Sequence, residues 1–217
     1  MSKAVKGVIF DLDDTLFDHT SSATAGVRQW LTTLEIVTTD ALITKWFEIE
    51  KVHFDSWLAG QVSHQEQRRN RLRDFLPALG LPLPDDLDSA YEVFLRCYEQ
   101  QWQAFSDAEP ALTYARGNGL RIGVLTNGAT LQQNAKLAAI GLAGRVDVVC
   151  TSESLGAGKP APEAYRAACA ALGVDPADTM MVGDNLELDV IAARRAGLSA
   201  VHLDRAAGGT LTDLVRW

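Results

Sequence analysis

Cysteine is scarce in this 217-residue chain: Cys97, Cys150 and Cys169 are odd in number and far apart. Such spacing argues against a disulfide framework or a thiolate metal site, and for buried free thiols in a reducing compartment. The four histidines, His19, His53, His64 and His202, form no pair at metal-ligand spacing. No apolar run is long enough to cross a bilayer. The opening residues, MSKAVKGVIFD, lack an apolar segment followed by a small-residue cleavage site, so no secretory signal is expected. Basic residues are outnumbered, 20 Lys and Arg against 28 Asp and Glu, for a formal net charge of −8. That balance argues against a nucleic-acid polymer or an anionic membrane as the main partner. A small anionic ligand stays open, because a local cation can reverse the field inside a pocket. The chain has no internal repeat and no low-complexity tract. A cytoplasmic protein, monomeric or a small homo-oligomer, is the expectation.

What is present is ordinary globular material, 47% hydrophobic and 22% charged, long enough for a core domain with an insertion. After residue 105 strands and helices alternate. Strands are predicted over Arg121–Leu125, Val146–Cys150, Thr179–Gly183 and Ser199–Leu203. Helices are predicted over Asp107–Asn118, Leu131–Ile140, Pro162–Leu172 and Leu186–Ala196, with Gly119, Gly141, Gly173 and Gly197 closing them. This alternation implies a parallel sheet with helices on both faces. A first strand, Val5–Phe10, stands far from the others. Between them, 18–103 reads as all helix: Ile43, Phe47, Phe54, Trp57 and Leu58 recur at helical spacing, as do Leu72, Phe75, Leu76 and Leu79. Ser63-His-Gln-Glu66 reads as a capping box, and Pro77, Pro82 and Pro84 as punctuation of the following turn. Trp30, Trp46, Trp57 and Trp102 read as the core of a helical bundle. The expected fold is α/β: a Rossmann-like parallel-sheet core, 1–17 and 104–217, interrupted by an inserted all-helical cap domain, 18–103.

The most informative segment is Phe10–His19, FDLDDTLFDH. An apolar run ends there in Asp11, Asp13 and Asp14, with Thr15 beside them. Carboxylates at the carboxyl end of a central strand lie at the crevice where open α/β sheets bind ligands. Asp11 and Asp13, two residues apart, can face the same crevice if the strand direction persists. Held close, they need a cation, a proton or water. A helix cap with solvated turn residues explains the segment about as well when it is taken alone. An EF-hand does not, because Leu16 and Ser22 stand where its Gly and Glu would be.

Three later segments point to the same edge. Leu125-Thr126-Asn127-Gly128 ends a strand in a hydroxyl and turn N–H groups, an anion cradle, although alone it reads as an Asn-Gly turn. Gly156-Ala-Gly-Lys159-Pro160-Ala-Pro162 is not a P-loop, since Pro160 replaces the needed Ser or Thr and Glu153 the first Gly. Its Lys159, before a helix start, can reach the crevice, although a solvated lysine is the commoner case. Met180-Met181-Val182-Gly183-Asp184-Asn185 ends a strand in a carboxylate, with Asp189 five residues on as a partner for Lys159 or a metal. Ionised together, Asp11, Asp13, Asp184 and Asp189 are badly unbalanced by Lys159 alone, which calls for a divalent ion.

FDLDDTL, LTNG, GKPAPEAY and GDNLELD, in this order, resemble the four motifs of the haloacid dehalogenase-like hydrolase superfamily, in its phosphatase branch. Their spread covers nearly the whole chain, and the inserted helices resemble the cap that family places after its first motif. The resemblance implies Asp11 as a nucleophile forming an aspartyl-phosphate. It implies Asp13 as the acid and base, and Thr126, Asn127 (through its backbone N–H) and Lys159 as phosphate-binding residues. Mg²⁺ would be held by Asp11, the backbone carbonyl of Asp13 and Asp184, with Asp189 orienting Lys159 or a metal-bound water. The implied activity is Mg²⁺-dependent hydrolysis of a small phosphorylated metabolite, a phosphomonoester. Asp13, which the dehalogenases of the family lack, favours phosphate chemistry over carbon–halogen cleavage. A sugar-phosphate phosphomutase is the enzymatic alternative; a receiver-type signalling module is disfavoured by Asp13 and the helical insertion. Phe17, Asp18, His19 and the Gly60-Gln61 turn are candidate substrate contacts, and Arg68, Arg69, Arg71 and Arg73 read as a solvated basic helix face.

Overall fold

The computed structural model describes residues 5–214. It divides into two compact units, Met1–His19 with Gln103–Trp217, and Thr20–Trp102. Residues 1–4 and 215–217, the outer ends of the expected core, lie outside the described residues.

The first strand, β1 (Gly7–Phe10), is wholly buried. Its four apolar or small side chains suit a strand covered on both faces. Helices α1 (His19–Thr33), α2 (Asp40–Leu58), α3 (His64–Ala78) and α4 (Leu87–Glu99) come next. The chain then alternates: α5 (Ala108–Gly117), β2 (Arg121–Thr126), α6 (Thr130–Ala139), β3 (Val148–Thr151), α7 (Ser152–Leu155), α8 (Pro162–Leu172) and β4 (Thr179–Gly183). After one six-residue π-helix, Leu186–Ile191, follow α9 (Ala192–Arg195), β5 (Ser199–His202) and α10 (Leu211–Leu214).

All strand pairs are parallel, in the order β3-β2-β1-β4-β5. The expected parallel α/β sheet is therefore present. The first strand in sequence is central in space, so the chain leaves it toward both sides of the sheet. Such a switch point opens a crevice beyond the strand ends. Under one face Ile9, Leu125, Tyr165, Leu172 and Met181 form a continuous apolar layer. Gly119, Gly141, Gly173 and Gly197 take left-handed conformations after helices, as their placement predicted.

The first strand starts at Gly7, two residues after the expected Val5, and other elements also depart from expectation. The third strand starts two residues later and ends one residue later than predicted because Val146 ends a short 3₁₀ turn, Ala143–Arg145, and Asp147 instead accepts from the Ile122 N–H. The predicted helix Leu186–Ala196 is a π-helix followed by a short α-helix. Residues 152–155 form a helical turn under a Thr151–Ser154 capping box.

The helical unit is organised by aromatic rings. Trp30, Trp46, Phe75 and Phe94 are buried, with centroid separations of 4.5–5.8 Å among the five packed pairs. Gly26 lets α1 approach α4, since a Cβ there would sit 2.6 Å from Tyr98 Cα. Ser63 caps α3 by accepting from the Glu66 N–H at 3.0 Å, but Glu66 turns its carboxylate to Arg69 and Arg73 instead of closing the box. Pro77 lies inside α3, not in the turn after it. Arg71 also departs from the solvated-face reading. It is buried, donating to Glu50 at 2.6 Å, because the apolar stripe of α3 includes its position. Among the described residues no helix is long and apolar enough to cross a membrane.

Candidate active site

Asp11 directly follows β1, its N–H donating to Val182 O of the neighbouring strand at 2.9 Å. The chain then curls back, with Leu16 and Phe17 both donating to Leu12 O and Asp14 in a left-handed conformation. An aspartate tolerates that conformation better than most residues. The curl separates Asp11 from Asp13. Asp11 is buried against the cluster described next, while the Asp13 carboxylate turns toward α6.

Lys159 reaches Asp11 Oδ1 and Asp189 Oδ1, each at 2.6 Å. Lys159, Asp11 and Asp189 are all buried. Burial lowers the Lys159 ammonium pKa, but the two carboxylates outweigh it and hold the group protonated. Burial raises Asp11 well above the usual carboxylate range, Lys159 opposes this, and Asp189 and Asp184 reinforce it. The lysine backbone is held as firmly as its side chain. The Asn127 side chain accepts from Lys159 N at 2.8 Å and donates to Lys159 O at 2.7 Å. The Lys159–Pro160 peptide is cis. Asn127, expected to act through its backbone, thus has a side-chain task that the sequence did not reveal.

Asp184 follows β4. Its N–H donates to Thr15 Oγ1 at 3.1 Å, and its carbonyl lies 2.8 Å from His202 Nε2. Burial, then the carboxylates of Asp189 and Asp14, push its pKa up to about 6. Asp189, in the π-helix, accepts from Asn185 N at 3.0 Å as well as from Lys159. It fits only because residue 183 is glycine: a Cβ there would lie 2.2 Å from Asp189 Oδ2.

Oxygens of Asp11, Asp184 and Asp189 lie within 4.8 Å of one another. Three hard oxygen donors so close, one pushed up to about 6 by like charge and burial, suit a hard divalent cation. The Asp13 carboxylate is not in this group, contrary to the expectation that it shares the cluster. It accepts from Lys136 Nζ at 2.5 Å and from Gln133 Nε2 at 2.9 Å. Burial raises its pKa, but Lys136, His19 and these bonds prevail and lower it to about 2. Gln133 also donates to Thr126 Oγ1 at 2.7 Å. Lys136 is the cation missing from the charge balance drawn from sequence. With Lys136, Lys159 and one divalent ion the four carboxylates are neutralised. Phe17 is buried with its ring 4.8 Å from the Lys136 ammonium, a packing role instead of the expected substrate contact.

Residues 5–197 match the haloacid dehalogenase-like hydrolases. The chain belongs to this family. It is a hydrolase, and its named relatives include phosphatases. Phosphatase MT3486 of Mycobacterium tuberculosis is 34% identical over 217 residues, covering 98% of this chain and 93% of the relative. A phosphoserine phosphatase of Thermus thermophilus is 40% identical over 122 residues, 56% of this chain, and the matched part spans 49% of that protein. Among solved structures, the magnesium-bound HAD-hydrolase YfnB of Bacillus subtilis superposes with a TM-score of 0.81 at 21% identity, over 93% of this chain and 90% of that one. L-2-haloacid dehalogenases share the same fold.

Proposed function

We propose that this hydrolase is a Mg²⁺-dependent phosphomonoesterase acting on a small phosphorylated metabolite through an aspartyl-phosphate on Asp11. The observation that carries this reading is a division of labour between two carboxylates two residues apart. Asp11 is paired with Lys159 in the acidic cluster, and Asp13 is held separately by Lys136 and Gln133. One carboxylate beside a cation suits nucleophilic attack, and a second, separately tuned, suits proton transfer.

Asp11 attacks phosphorus, and the ester P–O bond breaks. Asp13 gives a proton to the leaving oxygen, then takes one from the water that cleaves the acyl-phosphate. Its lowered pKa makes it a base at rest, so it first takes a proton from solvent through its exposed side, and the proton it later takes from the attacking water resets it for the next turnover. Thr126, the Asn127 N–H and Lys159 bind the phosphoryl oxygens, and Asp189 holds Lys159 in place. Asp11, Asp184 and the carbonyl of Asp13 would hold Mg²⁺, which when bound neutralises charge on the phosphoryl group. The names of the phosphatase relatives support phosphate-ester chemistry. The fold shared with dehalogenases leaves carbon–halogen cleavage as the competing activity, and Asp13 speaks against it.

The test is a panel of small phosphate monoesters assayed for phosphate release with Mg²⁺ and with chelator, beside 2-haloacids assayed for halide release. Phosphate release that chelation abolishes supports the reading. Halide release without phosphate release, or full phosphatase activity after exhaustive chelation, contradicts it.

A further inference from the structure

Helix α6 carries Gln133 and Lys136, three residues apart and hence on one face. Both are polar and nearly sealed from solvent, at 2% and 4% exposure. A lysine and a glutamine are seldom buried unless each has partners. Their partners here are the two side chains that phosphate chemistry would use, Asp13 and Thr126. The Asp13 side chain itself keeps 29% of its surface exposed. It is therefore gripped from behind and open in front.

The amide orientation of Gln133 follows from its neighbours. Nε2 donates to Asp13 Oδ2 and to Thr126 Oγ1, and flipping it would set a carbonyl oxygen against a carboxylate. Because Thr126 Oγ1 accepts this bond, its own proton remains available for an anion. Gly128 supplies the room: a Cβ there would lie 2.6 Å from Gln133 Nε2. Its backbone is outside the left-handed region, so the side chain of Gln133 is the steric reason for glycine.

We propose that Gln133 and Lys136 are positioning residues, a buried bracket that fixes the Asp13 carboxylate and the Thr126 hydroxyl as one unit for proton transfer and phosphoryl binding. This rests on the phosphomonoesterase reading. Lys136 sets where the carboxylate stands, its ammonium 4.8 Å from the Phe17 ring. Gln133 ties the carboxylate to the phosphate-binding hydroxyl. Both act through Asp13 and Thr126.

The experiment compares nitrophenyl phosphate with glycerol phosphate, a good and a poor leaving group, for the unmodified chain, Gln133→Ala, Lys136→Met, Lys136→Arg and Gly128→Ala. Misplacing a reacting group by about 1 Å can cost roughly 10²-fold in rate. Gln133→Ala and Lys136→Met should lower kcat on glycerol phosphate by about that factor, with KM little changed in Lys136→Met and raised in Gln133→Ala, which also frees the Thr126 hydroxyl. On nitrophenyl phosphate they should keep a burst of nitrophenolate and slow only the later turnover. Lys136→Arg should restore part of the rate. Gly128→Ala should match Gln133→Ala, and combining the two should add little. Unmodified kcat on glycerol phosphate in both single variants overturns the bracket while leaving the phosphatase reading intact. Equal losses on both esters, with the burst gone and the melting temperature lowered, also overturn it in favour of a packing role. Phosphate release from neither ester by the unmodified chain overturns the phosphatase reading, and the bracket with it.

Discussion

Gly183→Ala is among the smallest substitutions available, yet it should damage the site severely. The added Cβ would lie 2.2 Å from Oδ2, 2.3 Å from Cγ and 2.6 Å from Cβ of Asp189. Ordinary contacts begin near 3.4 Å, so Asp189 must retreat by more than an ångström. It then loses the Lys159 ammonium and the Asn185 N–H, at 2.6 and 3.0 Å. The backbone at Gly183 is not left-handed, and alanine suits the interior of a strand better than glycine, so no offsetting strain is expected. Breaking a buried ion pair from one side costs about 3–5 kcal/mol. For a chain of this size roughly 2–4 °C is lost per kcal/mol, so the melting temperature should fall by about 6–20 °C. The assay is chemical and thermal denaturation of Gly183→Ala, Asp189→Gly and the double variant. If the clash with Asp189 is the cause, Gly183→Ala adds less than about 1 kcal/mol once residue 189 is glycine and its Cβ is gone as well. Fully additive losses would refute the reasoning.

Three other consequences can be measured separately. Because burial and like charge raise the folded pKa of Asp184 to about 6, the folded state binds the extra proton. Metal-free stability from this group is present at low pH and is lost as pH rises from 3.8 toward about 6, whereas Mg²⁺ affinity rises over the same range; denaturation and calorimetric titration between pH 4 and 7 should show opposite trends. Trp46→Ala removes a buried ring at the centre of the helical unit and should cost about 3–5 kcal/mol in denaturation. Asn127→Ala deletes both side-chain bonds to the Lys159 backbone, at about 0.5–1.5 kcal/mol each, and should raise amide exchange around residue 159.

The parallel sheet was legible because Val8, Ile9 and Phe10, or Met181 and Val182, are uninterrupted apolar residues that end abruptly in carboxylates. The sequence pattern also placed Lys159 near a crevice, since prolines and glycines stop its loop just before a helix. Gln133 and Lys136 were illegible for the opposite reason. A glutamine and a lysine on a helix read as solvated, and only three-dimensional proximity to Asp13 and Thr126 distinguishes them. The π-helix over Leu186–Ile191 escaped notice because its apolar spacing is close to that of an α-helix. Arg71 escaped because charge outweighed position on the apolar stripe. The resemblance to a family supplied what periodicity could not, namely which of several acidic side chains would react.

The central claim, that Asp11 becomes covalently phosphorylated, can be tested with Asp13→Asn in the pre-steady state with nitrophenyl phosphate in excess. Removal of the acid and base should slow hydrolysis of the intermediate by roughly 10²–10⁴-fold while sparing attack on nitrophenyl phosphate. Nitrophenolate should then appear in a burst approaching one equivalent per chain, with an acid-stable, hydroxylamine-labile phosphate on the peptide containing Asp11. Asp11→Asn should show neither burst nor label. A label on another residue, a burst that survives Asp11→Asn, or an Asp13→Asn variant turning over at the unmodified rate would contradict the account.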